Sequence, residues 1–502
     1  MESIETPASE ITESNHRHQL SLPTELLLAV FEHVRELRTL SSLCRASKSF
    51  NQLAIPILYN TIDNVAHHQK SKLRTSIVCM KSRPPHLYHQ DALPYTKNLG
   101  LVASDLAWTS PLDESFMNVA TLYLYLNSPL WNQNAWSSLP HSLRTLKLRF
   151  GALAAQAGTD QTWEDQNWQA VGVSCPIIST LHVEGAWGAL AKNLAPFIST
   201  LKLKSFSLSM AYARHLPQVG QVALNALAAR SGWTLNTLSL RKMDITLIAS
   251  LDKLFPALKD ILLNEVTVSG DSQFAFTHPV NSLVFMACEA QKFVDVGNII
   301  KHSHYSLETL RIIDSGSFVF NDSVLPDLKS LKTLSLIGEV AQRAGLVLLL
   351  HTRFDHLTYL ALSLSSNLPS SNDMLDLILQ CRNLSWLDLN GFDVTDRFVY
   401  DAITRLDKLE HMDVNITQPM DGDNFLQAVA ARRQNGGKVV LHYGAPLKFV
   451  SGGALEGIRV QEFQSGAGES STLRQRVDDA INGVAVATGR LMGSPTWQGQ
   501  NF

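Results

Sequence analysis

The stretch Leu384-Ser385-Trp386-Leu387-Asp388-Leu389 reads apolar-x-x-apolar-x-apolar, and it decides the fold because it is repeated. The same phrase stands at 143–148, 178–183, 198–203, 235–240, 258–263 and 280–285. It continues at 307–312, 331–336, 357–362 and 409–414, with an earlier copy at 119–124. One copy carries no information in a chain that is 45% hydrophobic. The spacing carries it. From Leu235 onward successive copies begin 23, 22, 27, 24, 26, 27 and 25 residues apart. A period of that size marks an array whose units each supply one short strand and a returning segment.

In a strand, alternate side chains face opposite sides, so Leu387 and Leu389 point inward while Trp386, Asp388 and Asn390 point outward. One unit cannot bury its apolar side alone; stacked units bury a continuous core. Helical spacing recurs between the strands, at Val219, Val222, Ala223, Ala226 and Leu227 and at Met374, Leu377, Ile378 and Cys381. It recurs again at Phe398, Val399, Ala402, Ile403 and Leu406 behind Thr395, a capping residue type. The expected fold class is α/β: a curved leucine-rich-repeat solenoid over 95–443, with parallel strands on the concave face and helices or loops on the convex face. Gaps of 35 and 37 residues follow the copies at Leu143 and Ile198, which predicts inserted loops such as 163–168.

Composition sets bounds on function. A chain of 502 residues exceeds one compact domain, and its net charge of −3 is too small to draw nucleic acid or an anionic membrane. The five cysteines, Cys44, Cys79, Cys175, Cys288 and Cys381, are scattered and form no C-x-x-C pair. That pattern fits a reduced, intracellular chain, in cytoplasm or nucleus, without a structural zinc. No apolar run reaches the roughly 18–20 residues of a membrane span. Residues 1–19 are polar and read as a disordered arm without the apolar centre of a secretory signal.

Character changes at Leu22-Pro23-Thr24-Glu25-Leu26-Leu27-Leu28-Ala29-Val30-Phe31, where proline and glutamate suit a first helical turn. Leu26, Leu27, Val30, Phe31 and Val34 share one helical face. Further apolar sets follow at Leu37, Leu40, Leu43 and Phe50, then at Leu53, Ile55, Ile57 and Leu58. So small a helical unit, with an apolar face, reads either as a cap for the solenoid or as a partner surface.

The three phrases Leu-Pro-x-Glu-Leu-Leu-x-x-x-Phe, Leu-x-x-Leu-x-x-Ala-Ser-Lys-x-Phe and Leu-Ala-x-Pro-x-Leu-Tyr, all within 20–60, resemble an F-box of the type found ahead of leucine-rich repeats. The resemblance implies docking to the Skp adaptor and, through it, to a cullin–RING (SCF-type) ubiquitin ligase. By motif position it implies an adaptor-facing surface of Leu22, Pro23, Leu26, Leu27, Val30 and Phe31, with Leu40 and Leu43 beside them. Ala46 stands where the family pattern has valine, and Phe50 where it has tryptophan.

Residues 61–94 carry a basic, histidine-bearing run and the pair Pro84-Pro85, and read as a helical linker. Only Tyr88 and Tyr95 are available there for stacking, too few for a nucleic-acid surface. Beyond Tyr443 the composition becomes Gly- and Ser-rich, so 444–502 reads as a flexible tail with one amphipathic helix at 472–491. That helix would either cap the open end of the solenoid or fold over its concave face.

No nucleophile elbow, phosphate loop or H-E-x-x-H stretch occurs, and no catalytic residue, metal or cofactor is assigned. Specificity is expected instead at outward strand positions. Early copies present Lys147, Arg149, His182, Glu184, Lys202, Lys204 and Arg241; later ones present Arg311, Tyr359, Trp386, Asp388, His411 and Asp413. This predicts two target-binding patches on the concave face: a basic one of Lys147, Lys202, Lys204 and Arg241, and an aromatic-acidic one of Tyr359, Trp386, Asp388 and His411. The expected function is a non-catalytic receptor that holds an unidentified target protein for ubiquitin transfer. The alternative is a repeat scaffold uncoupled from ubiquitination.

Overall fold

The computed structural model describes residues 24–34, 37–58, 61–63, 96–102, 118–126, 139–150, 171–186, 194–210, 217–245, 251–268, 276–290, 293–315, 317–320, 327–341, 355–363, 368–369, 372–415, 440–443 and 459–462. Three helices come first: α1 (Thr24–His33), α2 (Leu37–Ala46) and α3 (Lys48–Leu58). Phe31, Leu40 and Ala54 form their buried centre, packed by Val34, Leu43, Phe50, Leu53 and Ile57. Phe50 meets Phe31 edge-on, ring centres 5.5 Å apart at 85°. The smaller ring at Phe50 therefore still fills the joint between α1 and α3.

Immediately afterwards the chain enters a parallel ladder that runs in sequence order. Thr61–Asp63 pairs with Asn98–Val102, which pairs with Thr121–Leu126, then Thr145–Phe150, Thr180–Ala186 and Ser205–Met210. Thr237–Ile245, Asp260–Val268, Ser282–Met286, Thr309–Ile313 and Thr333–Ile337 follow. Tyr359–Ser363, Trp386–Asp393, His411–Asn415, Val440–Tyr443 and Arg459–Glu462 complete it. The ladder starts within the stretch expected to be a helical linker and adds a strand beyond Tyr443. The rest of the linker, the 163–168 loop and the tail helix at 472–491 lie outside the described residues.

The repeated leucines make one continuous core. Leu146, Leu181, Phe206, Leu238, Ile261, Leu283, Leu310, Leu334, Leu360, Leu387 and Met412 succeed one another in register and are at most 2% exposed. A side chain inward on every strand, in the same phase, is what a stacked core requires. Just before the strands, one carbonyl accepts two successive amides of the next repeat: Ala120 O from Arg144 N and Thr145 N, both at 2.9 Å. The pattern recurs at Lys204 O with Asn236 N and Thr237 N, and at Ser385 O with Glu410 N and His411 N.

That register corrects the reading of one repeat. The strand after Thr180–Ala186 is Ser205–Met210, so its phrase is Leu203-x-x-Phe206-x-Leu208 and not the copy beginning at Ile198. Both frames satisfy the apolar pattern, since Ile198, Leu201, Leu203, Phe206 and Leu208 are all buried. Lys202 and Lys204 consequently stand in the turn before the strand, not at its outward positions.

Between strands, the helix Asp396–Arg405 is capped as expected: Phe398 N donates to Thr395 Oγ1 at 3.3 Å. Buried Asp252 fastens the turn after Thr237–Ile245 to the approach of the next repeat but one. It accepts from Thr277 N at 2.9 Å and Thr277 Oγ1 at 2.8 Å, and its Oδ1 lies 2.8 Å from His278 Nδ1. Among the described residues no helix is long and apolar enough to cross a membrane.

Candidate functional site

Two surfaces carry the residue types expected of an interaction protein. On α1, Leu26 and Val30 stand one turn apart and are 55% and 56% exposed. Leu27 is half-buried, while Phe31 and Leu40 are 3% and 2% exposed. The face read from the sequence as adaptor-facing thus divides. Phe31 and Leu40 hold the three-helix core with Leu43 packed against them, and Leu26 and Val30 stay in contact with water. Leu22 and Pro23 lie outside the described residues. Helical periodicity groups all these side chains on one face, but it cannot tell the edge turned inward from the edge turned outward.

The second surface is the open face of the sheet, the concave side of the solenoid. Its first outward row is nearly all small hydroxyl residues: Thr121, Thr145, Thr180, Ser205 and Thr237, then Ser282, Thr309 and Thr333 after Asp260. It then changes abruptly to Tyr359, Trp386 and His411 on three successive strands. Tyr359 and Trp386 stack with ring centres 5.8 Å apart at 16°, and Trp386 and His411 with centres 4.4 Å apart at 31°. Parallel in-register strands hold like positions about 4.8 Å apart, so three aromatic residues in one row fall into a stack without adjustment.

Asp388 lies beside this stack in the next row, with Asp413 opposite it on the following strand. Arg311 comes from the other side, its guanidinium carbon 5.1 Å from the centre of the Tyr359 ring. Burial pushes the Tyr359 phenol above its ordinary pKa; the Arg311 guanidinium opposes that shift and the Asp388 carboxylate adds to it. The predicted patch of Tyr359, Trp386, Asp388 and His411 is therefore one contiguous piece of surface.

The predicted basic patch is not. Lys147 is exposed on the open face, in register with Tyr123 and His182. Arg241 lies three strands on from Lys147 in the neighbouring row and is held by Glu265 at 3.2 Å, with Lys242 3.7 Å from the same carboxylate group. Lys202 and Lys204 sit on the flank. The early end instead gathers Tyr125, Arg149 and Glu184: Arg149 lies over the Tyr125 ring at 5.7 Å and 3.8 Å from Glu184. That ion pair is half exposed and contributes little stability. Tyr123 and Tyr125 stand at outward positions of the strand holding the copy at 119–124, whose outward side chains carry no charge to draw attention to them.

The described thiols do not fit a reactive role. Burial pushes Cys175 and Cys381 up to about 12 and Cys288 to about 11. Among the described residues no group of three His, Cys, Asp or Glu side chains is placed to hold a metal ion.

Residues 19–64 match the family model of F-box-like domains. An F-box-like domain therefore precedes the long sheet of parallel strands in this chain. Among solved structures, a chain of the yeast Rad7 and Elc1 complex is similar to this one at 13% identity and a TM-score of 0.44, covering 88% of this chain and 98% of that chain. No curated protein matches the sequence.

Proposed function

We propose that this chain is a substrate receptor of an SCF-type ubiquitin ligase. The F-box-like unit docks to a Skp-type adaptor, and the open face of the repeat sheet holds a target protein for modification by the recruited enzymes. The observation that carries this reading is the exposure of Leu26 and Val30 on α1, within a unit that matches F-box-like domains. Two large aliphatic side chains, each more than half in water on a short helix, are a small apolar patch that no described residue covers. Leu27, Leu22 and Pro23 extend the proposed docking surface by motif position. The target-holding surface is the Tyr359–Trp386–His411 row with Asp388, and at the early end Lys147 with Arg149 and Tyr125. Aromatic and arginine side chains are the types that dominate interface energetics. The chain's own chemistry is positioning: it raises the effective concentration of a target lysine near the transfer machinery.

The test has two parts. Leu26→Asp/Val30→Asp is expected to abolish co-purification with the Skp adaptor without unfolding α1–α3, because neither side chain belongs to the core. Trp386→Ala/Asp388→Ala is expected to retain the adaptor and lose the target proteins captured by wild type, read by mass spectrometry. A wild-type chain that does not bind the adaptor would leave a repeat scaffold uncoupled from ubiquitination.

A further inference from the structure

Between the charged early end and the aromatic late end, the second and third outward rows of the sheet are largely apolar beside the hydroxyl row. They carry Leu262, Val284, Met286, Ile313 and Ile337. Val284 and Ile313 are only 9% and 7% exposed although they face away from the leucine core. One cation stands in this stretch. Arg311 is flanked in register by Val284 on one side and Ser335 on the other. Its side chain reaches Tyr359, two strands away. Strands lie about 4.8 Å apart, so it must cross the strand between, where Ser335 is small enough to let it pass.

Two arginines nearer the early end of the open face are each beside a carboxylate, Arg149 by Glu184 and Arg241 by Glu265. Among the described residues, Arg311 has no carboxylate within ion-pair distance. Its Nε is buried without a hydrogen-bond partner. Stacking on Tyr359 stabilises the positive charge but gives the buried Nε–H no acceptor. A cation beside apolar neighbours, with a buried donor lacking an acceptor, is stabilised when an anion reaches it. One guanidinium cancels one charge, and its planar fork matches a carboxylate. A phosphate dianion would bring more negative charge into an apolar stretch than Arg311 alone offsets.

We infer that the middle of the open face receives an acidic side chain of the target, an aspartate or glutamate set between apolar residues. Its carboxylate sits on the Arg311 guanidinium, and its neighbours lie against Met286 and Ile337. This rests on the reading of the sheet face as the target-holding surface.

The experiment pans a random-peptide display library against the full chain co-expressed with the adaptor. Enriched peptides are then synthesised in acid, amide (Asn or Gln) and phosphoserine forms and titrated. The expected consensus contains an acidic residue between apolar ones, with the amide form at least about thirtyfold weaker on wild type. Arg311→Gln, checked to melt like wild type, is expected to bind acid and amide alike. Arg311→Lys is expected to keep a reduced preference, because the ammonium retains the charge without the fork. A consensus without an acid, an acid preference unchanged in Arg311→Gln, or a library that enriches nothing would overturn the inference. A phosphoserine form that binds far more tightly than the acid form would also overturn it, by replacing the carboxylate class. Peptides lost in Trp386→Ala but untouched by Arg311→Gln would sink this inference and leave the broader reading standing. Peptides indifferent to both substitutions would sink the broader reading as well.

Discussion

The smallest feature that organises this chain is a left-handed residue in or just after seven of its strands. Gly185, Lys242, Glu265, Ala287, Asp314, Gly338 and Gly391 all have positive φ, between 48° and 91°. Each stands five residues after the first register position of its strand. An L side chain in that conformation costs roughly 1–2 kcal/mol, so Ala287→Gly is expected to raise the unfolding free energy by about 1 kcal/mol in urea denaturation. Gly185→Ala is expected to lower it by more, because a Cβ there would lie 2.4 Å from Phe150 O. A second residue-level prediction concerns pH. Burial, with Lys147 nearby, lowers the His182 pKa below its ordinary value. The unfolded chain then binds this proton more readily than the folded one, so the contribution is complete above about pH 6.5. It is lost as pH falls from there through the lowered folded value. Urea midpoints at neutral pH and at pH about 5 are expected to differ less in His182→Gln than in wild type.

At the scale of the element, what was legible in the sequence is whatever the core specifies. The leucine phrase gave strands, inward faces and the late aromatic row, because Leu357 and Leu384 fix the frame of Tyr359 and Trp386 without ambiguity. It failed at 198–208, where apolar residues satisfy two overlapping frames and only pairing with Thr180–Ala186 separates them. Lys202 and Lys204 left the sheet face for that reason alone. In the helical unit, periodicity named the right face of α1 and could not divide it into core and surface. The division can be measured. Phe31→Ala removes a ring from the core and from its contact with Phe50, and is expected to destabilise the unit by about 3–5 kcal/mol. Leu26→Ala, at an exposed position, is expected to stay within about 0.5 kcal/mol of wild type. Between the strands, Asp252→Ala is expected to lower stability by about 2 kcal/mol in the same assay, since it leaves Thr277 N and Oγ1 without their acceptor.

At the scale of the whole molecule, the parallel ladder runs without change of direction from Thr61, three residues past the end of α3, to Glu462. The helical unit is thus joined to the repeat sheet by a very short connection, a geometry suited to carrying a bound target at a fixed distance from a docked partner. On the proposed function, specificity would lie in what the leucines leave between them: Trp386 and Asp388 at the late end, Arg311 at the middle, Tyr125 and Arg149 at the early end. The central claim is that α1 of this chain docks a Skp-type adaptor. It is tested most directly by titrating purified adaptor into the full chain by calorimetry, using wild type, Leu26→Asp/Val30→Asp and Trp386→Ala/Asp388→Ala. Wild type and the sheet-face variant are expected to bind with equal affinity, and the α1 variant not to bind while its melting temperature holds. Wild type that does not bind, or an α1 variant that binds as tightly as wild type, would contradict it.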